Sequence, residues 1–400
     1  MGQGRRVAVT GLGVAASNGT GRDSFFKSCS QGSLGIKKCE LFGTEKLMTD
    51  FFGEIRAGLP GSEVRPTDET RIKALIRLSL EECLSDSHLD RQKIASYGAD
   101  AWLCFGTLLA TTDAIMEYAS GKRSGRELPG YLEHANDYLS MLRALCGVKG
   151  ACYVSSAACA AATTSAGMAF DFIKNGMCEL CVVGGADPLT KVSAAGFHAL
   201  KSLSLGICNP YDEGRDGVNI GEGSAFFVFE ELEAARTRGA NIYAEVLGYG
   251  LTNDAYHITS PDPDGGGVIR AMEEAVSEAG LSIGDIDHIN GHGTGTVVND
   301  KMEIGAIDAL FSDSPRPPSL TSTKSIVGHC MGASGAVELA AVLLSLQHQV
   351  YMPMPNMERP LETRCDVSSK GRYCEINYAL SNSFAFAGNI ASILIGRVRQ

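Results

Sequence analysis

Long hydrophobic runs are missing from this 400-residue sequence. No apolar stretch approaches the roughly 18 residues that span a bilayer, so the chain reads as soluble, with no membrane partner. An excess of basic charge is missing too. With 35 Lys and Arg against 46 Asp and Glu, the formal charge is -11, which argues against nucleic-acid or anionic-membrane binding. An acidic partner would need a local basic patch.

A disulfide frame is also lacking. The 13 cysteines are odd in number and scattered, a pattern of reducing compartments that points to a cytoplasmic setting. The one CxxC, Cys178 to Cys181, has no second pair to complete a zinc site, and no metal is expected. The P-loop, HExxH and GxSxG patterns are all absent, which lowers the standing of P-loop, zincin and α/β-hydrolase chemistry. The opening RRVAVTGLGVAAS superficially resembles a signal peptide, but its internal glycines and β-rich pattern favour a buried first strand. GLGVAA, Gly11 to Ala16, matches a dinucleotide fingerprint without a clear helix or a later acidic strand end, and reads as a strand-end turn.

What is present is an order of elements that runs twice. Apolar strands over Arg6–Val14, Ala101–Thr107, the segment ACYVSS and Leu180–Asp187 alternate with helices around Thr70–Ser85 and after Cys159. A second set follows: YAEVLGYGLT, the helix VIRAMEEAVSEAGL, IDHINGHGTGT, PSLTSTKS, the helix GASGAVELAAVLLSLQ, and YALSNSFAFAGNIASILIGRV. Strands alternating with helices imply a mainly parallel sheet in each half, helices on its faces. The pattern suggests a duplication, with halves 1–238 and 239–400.

Three strand ends carry reactive side chains among small residues. In VSSAACAAATTSAGMAF, Cys159 lies where a β-rich segment meets a helix, a position where the macrodipole and free N–H groups favour thiolate and bind an oxyanion. His292 lies in the glycine-rich GHGTGT, and Lys324 and His329 in TSTKSIVGHCMGASGAVE. Small neighbours there allow close approach of a ligand.

These segments, with GGAD, GFHALKSLS, NPYDEGRDGVNIGEGSAFFVFEELEAARTRGANIYAEVLGYG, DAYHITSPDPDG and NSFAFAGN, run in order along the whole chain. They resemble the β-ketoacyl synthases of the Cys-His-His type in the thiolase superfamily. The resemblance implies a duplicated, layered α-β-α-β-α fold with two mainly parallel or mixed five-stranded sheets. It implies an acyltransferase that acylates Cys159 from an acyl carrier protein and then extends the chain by two carbons through decarboxylative condensation with malonyl carrier protein. By position, His292 and His329 resemble the pair that donates to the malonyl enolate, and Lys324 with Glu338 the network around them. The backbone N–H groups of Cys159 and Phe386 resemble the oxyanion hole. Thr294 and Thr296 match pantetheine-binding positions, Phe384 and Phe386 the gating loop, and Leu108 the expected acyl pocket and dimer surface. Asp300 and Glu303 are expected to brace the loop. The chain needs no cofactor of its own, since phosphopantetheine arrives on the carrier protein, and a homodimer or a heterodimer with a chain-length-factor homologue is implied. Arg71, Lys73 and Arg77 are the candidate carrier-protein patch.

Some positions depart from the family pattern. The gating loop reads AFAGNI where GFGGTN is usual, Ala158 replaces a threonine, Asn290-Gly291 replaces Glu-Ala, and CFGTLLATT is poorer in glycine. These departures tilt the setting from fatty-acid elongation towards aryl polyene or polyketide synthesis. A noncatalytic chain-length factor would lack Cys159, and a thiolase would use a second cysteine in place of the His pair.

Overall fold

Strand β1, Val7–Ala16, is buried at every position in the computed structural model, which describes residues 4–56, 58–59, 70–123 and 137–398. With β2 (Ala101–Gly106), β3 (Cys152–Ser155), β4 (Leu180–Asp187) and β5 (Gly223–Glu231) it forms the first sheet. The second comprises β6 (Ala244–Asn253), β7 (His288–Asn290), β8 (Ser319–Thr321), β9 (Tyr378–Phe384) and β10 (Asn389–Gly396).

The spatial orders are β3-β2-β4-β5-β1 and β8-β7-β9-β10-β6. Each reads third, second, fourth, fifth, first, so the duplication is visible in the topology. In both sets the first two pairings are parallel and the last two antiparallel, giving mixed rather than mainly parallel sheets. The sheets are not fully separate. Val7–Val9 pair antiparallel with Val246–Ala244, and this short contact makes the hydrogen-bonded path continuous.

Six helices position the sheets and the site: α1 (Arg71–Asp86), α2 (Ala161–Lys174), α3 (Lys191–Ala199), α4 (Gly266–Glu278), α5 (Val297–Leu310) and α6 (Ser334–His348). α2 touches β2 and β4 of the first sheet and β6 and β10 of the second, while α6 packs on β9 and also on β1 and β5. These two helices form the central layer. α6 is buried on every face from Ser334 to Leu346, as a helix covered by sheets on both sides must be. α1 covers β1 and β5 from outside, and α4 covers β6 and β10.

GLGVAA is not a turn but the C-terminal part of β1. Its glycines serve packing: a Cβ on Gly13 would lie 2.0 Å from the Ser79 carbonyl oxygen of α1. Strand β5 escapes the pattern of alternating strands and helices because it is buried at eight consecutive positions and follows an irregular segment. The last apolar segment divides into β9 and β10, joined by a short turn at Phe386–Gly388.

Candidate active site

The C-terminal ends of β3, β7, β8 and β9 converge. After β3 the chain enters a short 3-10 turn, Ala158–Ala160, that leads directly into α2. Ala158 sits at φ +47°, a left-handed conformation that costs an alanine on the order of 1–3 kcal/mol and is held by its surroundings. The small residues that follow permit close packing as well as access. A Cβ on Gly106 of β2 would lie 2.5 Å from Ala162 Cα, and one on Gly335 of α6 would lie 2.0 Å from Thr163 Oγ1.

Cys159 Sγ lies 3.0 Å from His329 Nε2. The other ring nitrogen of His329, Nδ1, is 2.6 Å from Ser334 Oγ at the start of α6. The two imidazoles stand nearly perpendicular, with ring centroids 5.6 Å apart. Lys324 Nζ donates to the His292 carbonyl oxygen at 2.7 Å, sits 3.2 Å from His292 Nδ1, and pairs with Glu338 Oε1. An ammonium has three N–H groups and no acceptor. Facing three acceptors, it makes His292 Nδ1 the unprotonated nitrogen, so Nε2 carries the proton.

Burial lowers both imidazoles well below the ordinary histidine value, with the Lys324 charge acting in the same sense. The expected thiolate is not what the site favours at rest. Burial pushes the Cys159 thiol up to about 12, against the pull of Lys324 and with the added push of Glu338 and Asp187. The resting pair is therefore a thiol beside a neutral imidazole.

Two buried carboxylates shape the loop that carries His292. Glu303 accepts from the backbone N–H of His292 at 2.7 Å and of Gly293 at 2.8 Å, and from Tyr211 OH at 2.9 Å. Asp300 accepts from Tyr211 N at 2.8 Å and Gly295 N at 3.2 Å. Both brace, as expected. They also explain why the strand does not continue beyond Gly291, whose N–H still donates to the Thr321 carbonyl: the N–H groups of His292 and Gly293 turn to the Glu303 side chain, with Gly293 and Gly295 at positive φ. Gly291 is required here, since a Cβ would lie 2.1 Å from Tyr211 OH.

A cavity of about 270 Å³ opens onto Cys159, His292 and His329, and its wall includes Thr294, Thr296, Phe384 and Phe386. The two threonine hydroxyls are 2.8 Å apart. Phe386 stacks on Phe197 of α3 at 5.8 Å, and Phe384 lies 5.4 Å from the His292 ring. Leu200, Val298 and Phe386 are exposed as well as lining the cavity, and so form its rim.

Other expected site residues lie elsewhere. Leu108 is outside this cavity and packs against a cluster containing Leu189 and Met331. Asp187 holds it there, taking the N–H groups of Leu108 and Leu109, both at 2.9 Å, and that of Gly332 at 2.7 Å. Arg71 and Lys73 do not form a solvated basic face. Both are buried, and Arg71 donates to Glu222 at 2.6 Å, a carboxylate that also takes Ile55 N and Leu189 N. Of the three cations proposed on this helix only Arg77 is exposed. Ser334, Phe197 and Asp187 were not singled out from sequence. Ser334 lies five residues beyond His329 and Asp187 ends a glycine-rich strand, signals shared with many structural residues.

The β-ketoacyl synthase N-terminal and C-terminal domain models match residues 4–235 and 243–358. A 3-oxoacyl-(acyl-carrier-protein) synthase 2 from Staphylococcus aureus (strain COL) is 33% identical over 98% of this chain and 99% of its own length. Among solved structures, the ishigamide ketosynthase/chain length factor superposes with TM-score 0.87 and 29% identity, covering 99% of this chain and 100% of that one. The ketosynthase of a type II polyketide synthase, solved with its acyl-carrier protein and bound to the hexaketide, gives TM-score 0.88 and 27% identity over 99% of this chain and 100% of that one. Matched along both halves, the chain belongs to the β-ketoacyl synthase family.

Proposed function

We propose that this protein is a β-ketoacyl-(acyl carrier protein) synthase in which Cys159 carries the acyl chain and His292 and His329 act on the malonyl unit. The observation that carries the reading is the 3.0 Å approach of Cys159 Sγ to His329 Nε2 in a cavity that His292 also lines. A neutral imidazole at that distance takes the thiol proton as sulfur attacks the acyl thioester, which compensates for the raised thiol pKa. The backbone N–H groups of Cys159 and Phe386 are assigned to the resulting oxyanion. In the second half-reaction the malonyl C–C bond breaks, carbon dioxide leaves, and the electron pair passes to the thioester oxygen as an enolate. N–H donors from His292 Nε2 and His329 Nε2 stabilise it. The enolate carbon then attacks the Cys159 thioester and expels the Cys159 thiolate, which takes up one proton from water as the thiol is restored.

Lys324 and Glu338 set the His292 tautomer. Thr294 and Thr296 are assigned to the pantetheine arm, and Phe384 and Phe386 to access. The chain brings no cofactor, the phosphopantetheine arriving on the carrier protein. The approach of that protein is assigned to the apolar rim of Leu200, Val298 and Phe386. The chain is assigned to the cytoplasm, consistent with 13 free cysteines; no helix among the described residues is long and apolar enough to cross a membrane. The division into halves at 238/239 rests on the repeated strand order. A dimer, with itself or with a chain-length-factor homologue, is supported by β3, an edge strand of the first sheet with Cys152 exposed and Val154 45% exposed. Such an edge invites pairing with a second chain.

The test is intact-protein mass spectrometry after exposure to carrier proteins bearing saturated, unsaturated and aryl chains, with and without a partner subunit. Wild-type protein gains one acyl mass and Cys159→Ala none; acylation of the alanine variant would overturn the assignment. The preferred chain decides between fatty-acid and aryl polyene or polyketide synthesis.

A further inference from the structure

We infer that Ser334 is a positioning residue for His329, its hydroxyl serving the imidazole in both tautomers that the two half-reactions require. This rests on the ketosynthase reading above. His329 Nδ1 lies 2.6 Å from Ser334 Oγ, and no other side-chain contact is recorded for that nitrogen among the described residues. Both residues are almost fully buried, at 1% and 2% exposure, so a lost partner is not replaced by bulk water.

The half-reactions make opposite demands on His329. To receive the Cys159 proton, Nε2 must offer a lone pair, which places the proton on Nδ1. In the acylation step the S–H bond breaks towards Nε2, the S–C bond to the acyl carbon forms, and the pantetheine sulfur leaves. It departs as a thiol, taking back the Nε2 proton. Throughout, Nδ1–H donates to Ser334 Oγ, and the imidazolium is stabilised by that acceptor.

To donate to the malonyl thioester oxygen, Nε2 must instead carry the proton, so Nδ1 becomes an acceptor. A serine hydroxyl has one donor and two lone pairs and rotates to suit. It donates to Nδ1 in this state. A fixed backbone N–H or carbonyl would satisfy only one of the two. The change of tautomer adds a proton at Nε2 from water in the vacated cavity and removes the one at Nδ1 through the Ser334 hydroxyl, which accepts it as its own proton passes to water, with no net change of charge. Ser334 has no net gain or loss of a proton.

The geometry of the two histidines differs accordingly. His292 Nδ1 faces the Lys324 ammonium, a donor only, which holds that ring in one tautomer. His329 has the partner of reversible polarity, and it is the imidazole in contact with Cys159.

Ser334→Ala and Ser334→Thr should be compared with wild type in separate assays of single-turnover acylation of Cys159 and malonyl decarboxylation, with Tm recorded. Ser334→Ala is expected to slow each half-reaction about tenfold, the weight of one modest hydrogen bond, with KM unchanged and Tm only slightly lowered, and Ser334→Thr to recover most of the rate. Nitrogen-15 shifts of His329 should report Nδ1–H in the free enzyme and a shift towards Nε2–H in the acylated wild type. Wild-type rates in Ser334→Ala, losses that follow Tm without rescue by threonine, or an unchanged tautomer on acylation would overturn the inference. Failure of wild type itself to acylate would instead remove the ketosynthase reading on which it stands.

Discussion

Lys324 Nζ reaches both ends of His292, its Nδ1 at 3.2 Å and its carbonyl oxygen at 2.7 Å, while paired with Glu338. This sets the tautomer of a histidine that, unlike His329, makes no hydrogen bond to Cys159 among the described residues. Replacing Lys324 by alanine should slow acylation far less than malonyl decarboxylation, which should fall about a hundredfold, the scale of losing one oriented oxyanion donor. Equal losses in the two half-reactions would sink this division of labour.

The raised thiol of Cys159 has a kinetic signature. With its pKa pushed up to about 12 by burial, the thiolate fraction should grow about tenfold per pH unit across pH 7 to 9. The ultraviolet absorbance of the thiolate, taken as wild type minus Cys159→Ala, should rise log-linearly over that range. A plateau near neutral pH would mean a thiolate–imidazolium pair instead.

Both histidines are held well below the ordinary value by burial, so each remains neutral as pH falls through 6.5. Malonyl decarboxylation should therefore stay level from pH 8 down to about pH 6. A loss centred near pH 6.5 would place at least one imidazole in an ordinary environment.

Arg71 and Glu222 make a buried pair with side-chain exposures of 9% and 0%. Arg71→Ala strands the Glu222 carboxylate and should destabilise the fold by about 3–5 kcal/mol, read from the denaturant midpoint. Arg77→Glu, on the exposed side of the same helix, should leave that midpoint near wild type.

Ala387, in the turn between β9 and β10, sits at φ +62°. Ala387→Gly relieves about 1 kcal/mol of backbone strain. If this turn gates the cavity, the glycine variant should alter kcat for long acyl chains more than for a small thioester analogue. Equal rates on both would separate the turn from access.

Much of the site was legible because its chemistry sits beside small residues at strand ends. Cys159, His292, His329 and Lys324 stand in short segments whose glycines and alanines carry a local backbone demand, Glu338 was expected only through the family resemblance, and the structure brings all five together. Helix α1 was legible for the same kind of reason: its 3.6-residue pattern predicts Thr70–Ser85 and the helix spans Arg71–Asp86. The order of strands, run twice, already implied a duplication.

Solvent exposure of a charge was not legible. TRIKALIRLS reads as a basic helix face, yet Arg71 and Lys73 are buried, Arg71 against Glu222, 151 residues away in sequence, and Lys73 4.0 Å from Asp137. Leu108 likewise has its backbone N–H held by a distant carboxylate, Asp187, and its side chain packs against a cluster containing Leu189 and Met331. The thiol of Cys159 shows the same limit, since the helix start favours thiolate while burial among folded neighbours outweighs it. Local backbone geometry follows from residues next to each other in the chain, which is why nucleophile, histidines and strand order could be read directly. Burial, ion pairing and the state of a proton depend on groups brought close only by folding, and those the tertiary structure alone decided.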